Sequence, residues 1–120
     1  MSNEVILPWP PTELNPNSRV HWTKKSQAVR RYRKQAFALA LQAGMFGVTK
    51  DMAVHVEFCP PSRGRFDVDN RLASIKSGID GIADAIKIDD SAFKTYVLTM
   101  GKPVKGGEVR VRVVCVEGLA

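Results

Sequence analysis

Apolar residues recur along this 120-residue chain at two spacings, and each change of spacing marks the border of an element. Val5 to Leu7 reads as a short strand that ends at Pro8, because the prolines of Pro8-Trp-Pro-Pro11 have no backbone donor to continue a ladder. A long loop through Asn15, Asn17 and Arg19 follows. From about Ser26 to Ala43 the spacing turns helical, with Val29, Ala36, Phe37, Ala40 and Ala43 on one side and Gly44 placed to end the helix. Met52, Val54, Val56 and Phe58 then alternate with Ala53, His55 and Glu57, predicting a half-buried strand that stops at Pro60-Pro61.

A second helix follows, with Leu72, Ile75, Ile79, Ile82 and Ile86 as one apolar stripe and Asp69, Ala73, Lys76, Asp80 and Asp84 along another face. Phe93 to Met100 and Glu108 to Val116 alternate as strands. The glycines and proline between them, from Lys102 to Gly107, suit a hairpin turn. The order is β-α-β-α-β-β. A closing antiparallel hairpin predicts an α+β fold: one domain over residues 1–120, a small mixed sheet, and both helices packed on it.

Charge adds a direction to this picture. There are 18 basic residues against 12 acidic ones, a net charge of +6, and no acid lies between Leu14 and Lys50. That stretch holds Arg19, Lys24, Lys25, Arg30, Arg31, Arg33, Lys34 and Lys50. A basic first half and a more acidic second half predict phosphate-binding groups around an acidic centre, hence a polyanionic partner. Cys59 and Cys115 stand in apolar surroundings without metal-ligand spacing and read as reduced thiols. No leader and no apolar run near the ~20 residues that cross a bilayer can be read, so a soluble, cytoplasmic protein with no membrane partner is expected.

The acidic centre is concentrated in Arg63-Gly-Arg-Phe-Asp-Val-Asp-Asn70 and the later pair Asp89-Asp90. In an extended segment Asp67 and Asp69 point to the same side, and a third carboxylate from Asp89 or Asp90 would complete an oxygen-only site. Hard oxygen donors suit Mg²⁺, or Mn²⁺, better than zinc. An EF-hand loop does not fit, since Arg71 and Leu72 stand where it needs an oxygen ligand and a glycine. By themselves these residues also allow plainer readings. Asp69 can cap the second helix, Lys76 and Asp80 can form an i,i+4 pair, and a basic helix face can be merely solvated.

The segments LPWPPTELNPNSR, RGRFDVDN, IDDS and KPVKGGEVRVRV, in this order, resemble the RusA family of Holliday junction resolvases over nearly the whole chain. The resemblance implies a homodimeric, Mg²⁺-dependent endonuclease of DNA recombination and repair that cuts four-way junction DNA by paired nicks. It implies Asp67, Asp69 and Asp90 as catalytic, metal-holding acids. The family's lysine position is occupied by Ala73, and Lys76, one turn later on the same face, is the candidate replacement. Arg19, Lys24, Lys25, Arg30, Arg31, Lys34, Arg63 and Arg65 are the candidate DNA contacts. Two other functions compete: a branched or single-stranded DNA-binding protein that does not cut, and a metal-dependent nuclease without junction selectivity.

Overall fold

The computed structural model describes residues 3–47, 51–64 and 68–115, without the side chains of Val68, Asp69 and Asp90. Its elements are β1 (Glu4–Pro8), a 3₁₀ turn at Thr12–Leu14, α1 (Trp22–Gln42), β2 (Met52–Cys59), α2 (Val68–Ile86), a second 3₁₀ turn at Asp90–Ala92, β3 (Phe93–Met100) and β4 (Glu108–Cys115). The α+β class and the β-α-β-α-β-β order are as the pattern predicts.

The strand pairing is not. The sheet order is β1-β4-β2-β3: β4 lies antiparallel between β1 and β2, while β3 runs parallel to β2 on the far edge. The expected β3–β4 hairpin does not form. The segment 101–107 instead crosses the end of β2, where the Gly101 and Val104 amides donate to the Phe58 and Pro60 carbonyls at 2.8 and 2.9 Å. Alternation states which side chains face inward but is silent about which strand lies alongside.

Val5 and Leu7 of β1, Val54, Val56 and Phe58 of β2, and Val109, Val111 and Val113 of β4 are all buried on one face of the sheet. Ile75, Ile79, Ile82 and Ile86 of α2 join the same core, each isoleucine contributing roughly 1.5–3 kcal/mol by burial. Leu72, the first member of the stripe, is partly buried. The opposite sheet face carries Glu4, Ile6, Arg110 and Arg112 in the open, with His55 and Glu57 half-buried.

α1 differs most from expectation. It starts at Trp22 rather than Ser26, with His21 as its cap: the Thr23 amide donates to His21 Nδ1 at 3.2 Å. Its buried residues are Ala28, Tyr32, Ala36 and Ala40, while Val29 and Phe37, expected inside, are each 38% exposed. The core-facing stripe is small because α1 packs closely on α2. A Cβ on Gly81 would strike the Arg33 carbonyl, and one on Gly78 would come within 2.7 Å of the Tyr32 ring. Thus α2 is covered by the sheet on one side and by α1 on another. Tyr32 also donates its hydroxyl to the Pro8 carbonyl at 2.7 Å, tying α1 to the end of β1.

Both helices end in the same way. Gly44 takes a positive φ of 73° and the Met45 amide reaches back to Ala40; at the end of α2, Lys87 takes φ 58° and the Ile88 amide reaches Ala83. A lysine in this left-handed position carries a steric cost that glycine avoids.

Candidate functional site

The expected metal ligands fall around α2. Asp67 and Arg65 lie outside the described residues, Asp69 belongs to the first turn of α2, and Asp90 opens the second 3₁₀ turn. At 1.5 Å per residue, the helix carries the chain about 26 Å from Asp69 to Ile86. Beyond it the chain folds back only to the level of Asp80 and Asp84, where Asp89 shares a shallow hollow with both and with Arg33 and Ile88. That level is still about 16 Å along the helix from Asp69. Within one chain, then, α2 holds the backbones of Asp69 and Asp90 well apart. Among the described residues no three Asp, Glu, His or Cys side chains form a group that could hold a metal ion.

Asp89 has a local task. Its Oδ1 accepts the Ser91 amide at 2.9 Å and its carbonyl accepts the Ala92 amide, which together cap the 3₁₀ turn. Lys76 is exposed and donates from Nζ to Asp80 Oδ1 at 2.8 Å, the i,i+4 pair its spacing allows. Arg33 reaches across from α1 to Asp84 with both ends of its fork, Nε to Oδ2 at 2.7 Å and Nη2 to Oδ1 at 3.0 Å. Those hydrogen bonds hold the Asp84 carboxyl below the usual carboxylate range. Arg33 therefore serves helix packing, which explains why it differs from its basic neighbours.

Arg19, Lys24, Arg30, Arg31 and Lys34 are exposed and Lys25 is half-buried, so the first half of the chain does present a basic surface. Exposed Phe37 sits between Arg30, Arg33 and Lys34 in an apolar hollow. Trp22 is 72% exposed beside His21, their rings 5.7 Å apart. Basic side chains with aromatic rings among them form a surface that can meet both phosphates and bases.

A second basic place lies where the chain leaves β2 and α2 begins. Here Trp9 packs edge-on against Phe58, with ring centroids 6.5 Å apart, and the Arg71 guanidinium lies over the Trp9 ring at 5.1 Å. Arg63, exposed, lines the same cleft with Pro60, Pro61 and Met100. Trp9 is thus a hydrophobic anchor, partly buried and packed against the core. Its partner Arg71 was not legible, because 61 intervening positions leave no periodicity to connect the two.

The remaining candidates are quieter. His55 lines a hollow on the open sheet face with Glu4, Glu57, Arg110 and Arg112. Cys59 is buried and Cys115 half-buried, and both are free thiols. Burial, and then the Glu57 charge, push the Cys59 thiol up, away from the reactive thiolate. Among the described residues no helix is long and apolar enough to cross a membrane.

No family model matches the sequence. A protein of Xylella fastidiosa, named only as uncharacterized, is 40% identical over 113 residues, covering 91% of this chain and 74% of the other. Identity at that level over that length shows that the chain belongs to the same family as this Xylella protein.

Proposed function

We propose that the protein is a Mg²⁺-dependent endonuclease that resolves four-way DNA junctions as a homodimer, with each metal centre completed across the two-fold axis. The observation that carries this reading is the separation of Asp69 from Asp90 by α2. Two copies of α2 running antiparallel about a two-fold axis bring Asp69 of one chain toward the partner's Asp90, and do so twice. Two such centres match the two strands that a junction needs cut. The capping role of Asp89 supports the choice of Asp90 as the acid left for the metal.

Asp67, Asp69 and Asp90 would hold the cation, their all-oxygen donor set being the kind Mg²⁺ and Mn²⁺ accept. Once bound there, a divalent cation supplies Lewis-acid stabilisation of the phosphorus oxygens and lowers the pKa of a bound water. The chain's own contribution is charge and position. Lys76, two turns into α2 on the Asp69 face, brings positive charge to the phosphate. The exposed bases of α1, with Arg19, Arg63 and Arg65, attract and orient the DNA arms. Selectivity for a junction over duplex follows from two binding surfaces at a fixed angle, which gain effective concentration on several arms at once.

Subunit mixing tests this directly. Asp69→Asn and Asp90→Asn should each abolish Mg²⁺-dependent cleavage of a synthetic four-way junction, as EDTA should for the wild type. When the two variants are mixed and allowed to exchange subunits, nicking returns, because each heterodimer contains one centre with both acids. Absence of rescue, in a mixture shown to exchange, would put each metal centre within one chain. Cleavage of matched linear duplex at the junction's rate would favour the unselective nuclease, and binding without any cleavage the non-cutting protein.

A further inference from the structure

The cleft at the start of α2 contains an arrangement that packing alone does not explain. Among the described residues Arg71 Nε is buried without a hydrogen-bond partner, while its guanidinium carbon lies over the Trp9 ring, 5.1 Å from the centroid. A buried N–H without an acceptor costs about 1–3 kcal/mol. Trp9 is itself fixed on both sides, by Phe58 in the core and by Gly107, where a Cβ would approach the indole to 2.9 Å. The guanidinium is therefore held against an indole that is itself fixed. No acidic residue lines the cleft among the described residues, and a second guanidinium, that of Arg63, does. Arg71 also sits in the first turn of α2, where the helix dipole favours an anion.

From this arrangement we infer that Arg71, set over Trp9 and assisted by Arg63, binds a backbone phosphate of a nucleic-acid strand. The inference rests on the endonuclease reading and deepens it. The planar fork of arginine matches phosphate oxygens, and the cation–π contact with an indole restrains the guanidinium in advance. Met100, 48% exposed at the rim, offers an apolar surface to a sugar or base. Arg71 lies about 3 Å of helix rise beyond Asp69, so a strand whose phosphate is held here passes the end of α2 that carries Asp69. Arg71 would then be a positioning contact on the cut strand, separate from the α1 surface that meets the arms.

The test uses the full chain, EDTA and a fluorescein-labelled four-way junction, so that binding is read without cleavage. Arg71→Met keeps a long side chain over Trp9 but no charge. It should weaken binding about tenfold to a hundredfold, the range for one charged hydrogen-bonded contact. The slope of log K against log salt should become shallower by about 0.9. Arg71→Lys should restore the slope but only part of the affinity. Inorganic phosphate should compete no better than chloride at equal ionic strength. An unchanged slope in Arg71→Met, with or without a lower melting temperature, would make Arg71 a packing residue and overturn the inference alone. Specific displacement by inorganic phosphate would overturn the nucleic-acid assignment. A wild type that does not bind the junction would overturn the endonuclease reading together with this one.

Discussion

Tyr32 connects three parts of the molecule through one ring: it lies 2% exposed in α1, touches the Gly78 surface of α2 and donates to the Pro8 carbonyl of β1. Burial pushes its phenol well above the ordinary value of about 10. A raised folded value means that this group's contribution to stability is complete below pH 10. It is lost as pH climbs further, because the unfolded chain ionises first. Tyr32→Phe should cost about 1 kcal/mol at neutral pH through the lost hydrogen bond. It should also remove much of the decline in stability above pH 10, as measured by urea unfolding at a series of pH values. An alkaline decline equally steep in wild type and variant would place the titrating group elsewhere.

Between elements, the contact of α1 with α2 is set by the absence of a side chain. Glycine inside a helix normally costs about 1 kcal/mol relative to alanine, so Gly81→Ala on an open helix would stabilise. Here the added methyl would meet the Arg33 carbonyl and approach Ala36 Cβ to 3.1 Å. The two helices would have to separate, and Arg33 would be drawn from its paired bond to Asp84. We expect a net loss of about 1–3 kcal/mol, read as a lower urea midpoint with an unchanged slope. A raised midpoint would contradict the close approach. The same contact explains the α1 face: four small or flat positions, Ala28, Tyr32, Ala36 and Ala40, face inward, and the larger Phe37 is left among arginines outside.

At the scale of the whole molecule, the proposed sharing of metal centres between chains requires a second copy. One domain offers Asp69 at one end of the helix and Asp90 beyond the other. A dimer is therefore expected in solution before DNA is present, with a sedimentation mass of twice the 13.3 kDa chain. The measurement is sedimentation velocity at micromolar concentration, in low and moderate salt. A monomer under all these conditions, still cutting junctions in pairs, would oppose centres shared between chains.

The sequence by itself determined the elements, because each depends on local spacing: the isoleucine stripe of α2, the alternation of β2 and β4, the glycine that ends α1. It also determined the segregation of basic from acidic residues, and it carried the motifs on which the metal chemistry is proposed. The neighbour of each strand was decided only in the tertiary structure. Glu108–Cys115 alternates equally well beside β3 or between β1 and β2, and the choice of the central place came from burying Val109, Val111 and Val113 under α2. The true inner face of α1 was decided there too, since Ala28 and Tyr32 win over Val29 and Phe37 only when the Gly78–Gly81 surface of α2 lies opposite. Most of all, the resemblance of the motifs groups Asp69 with Asp90, whereas in the fold the 19-residue α2 lies between them. Trp9 met Arg71 by the reverse process, distant in the chain and in contact in the fold. Local periodicity encodes the direction in which a side chain points, and only the packing of whole elements decides what it finds there.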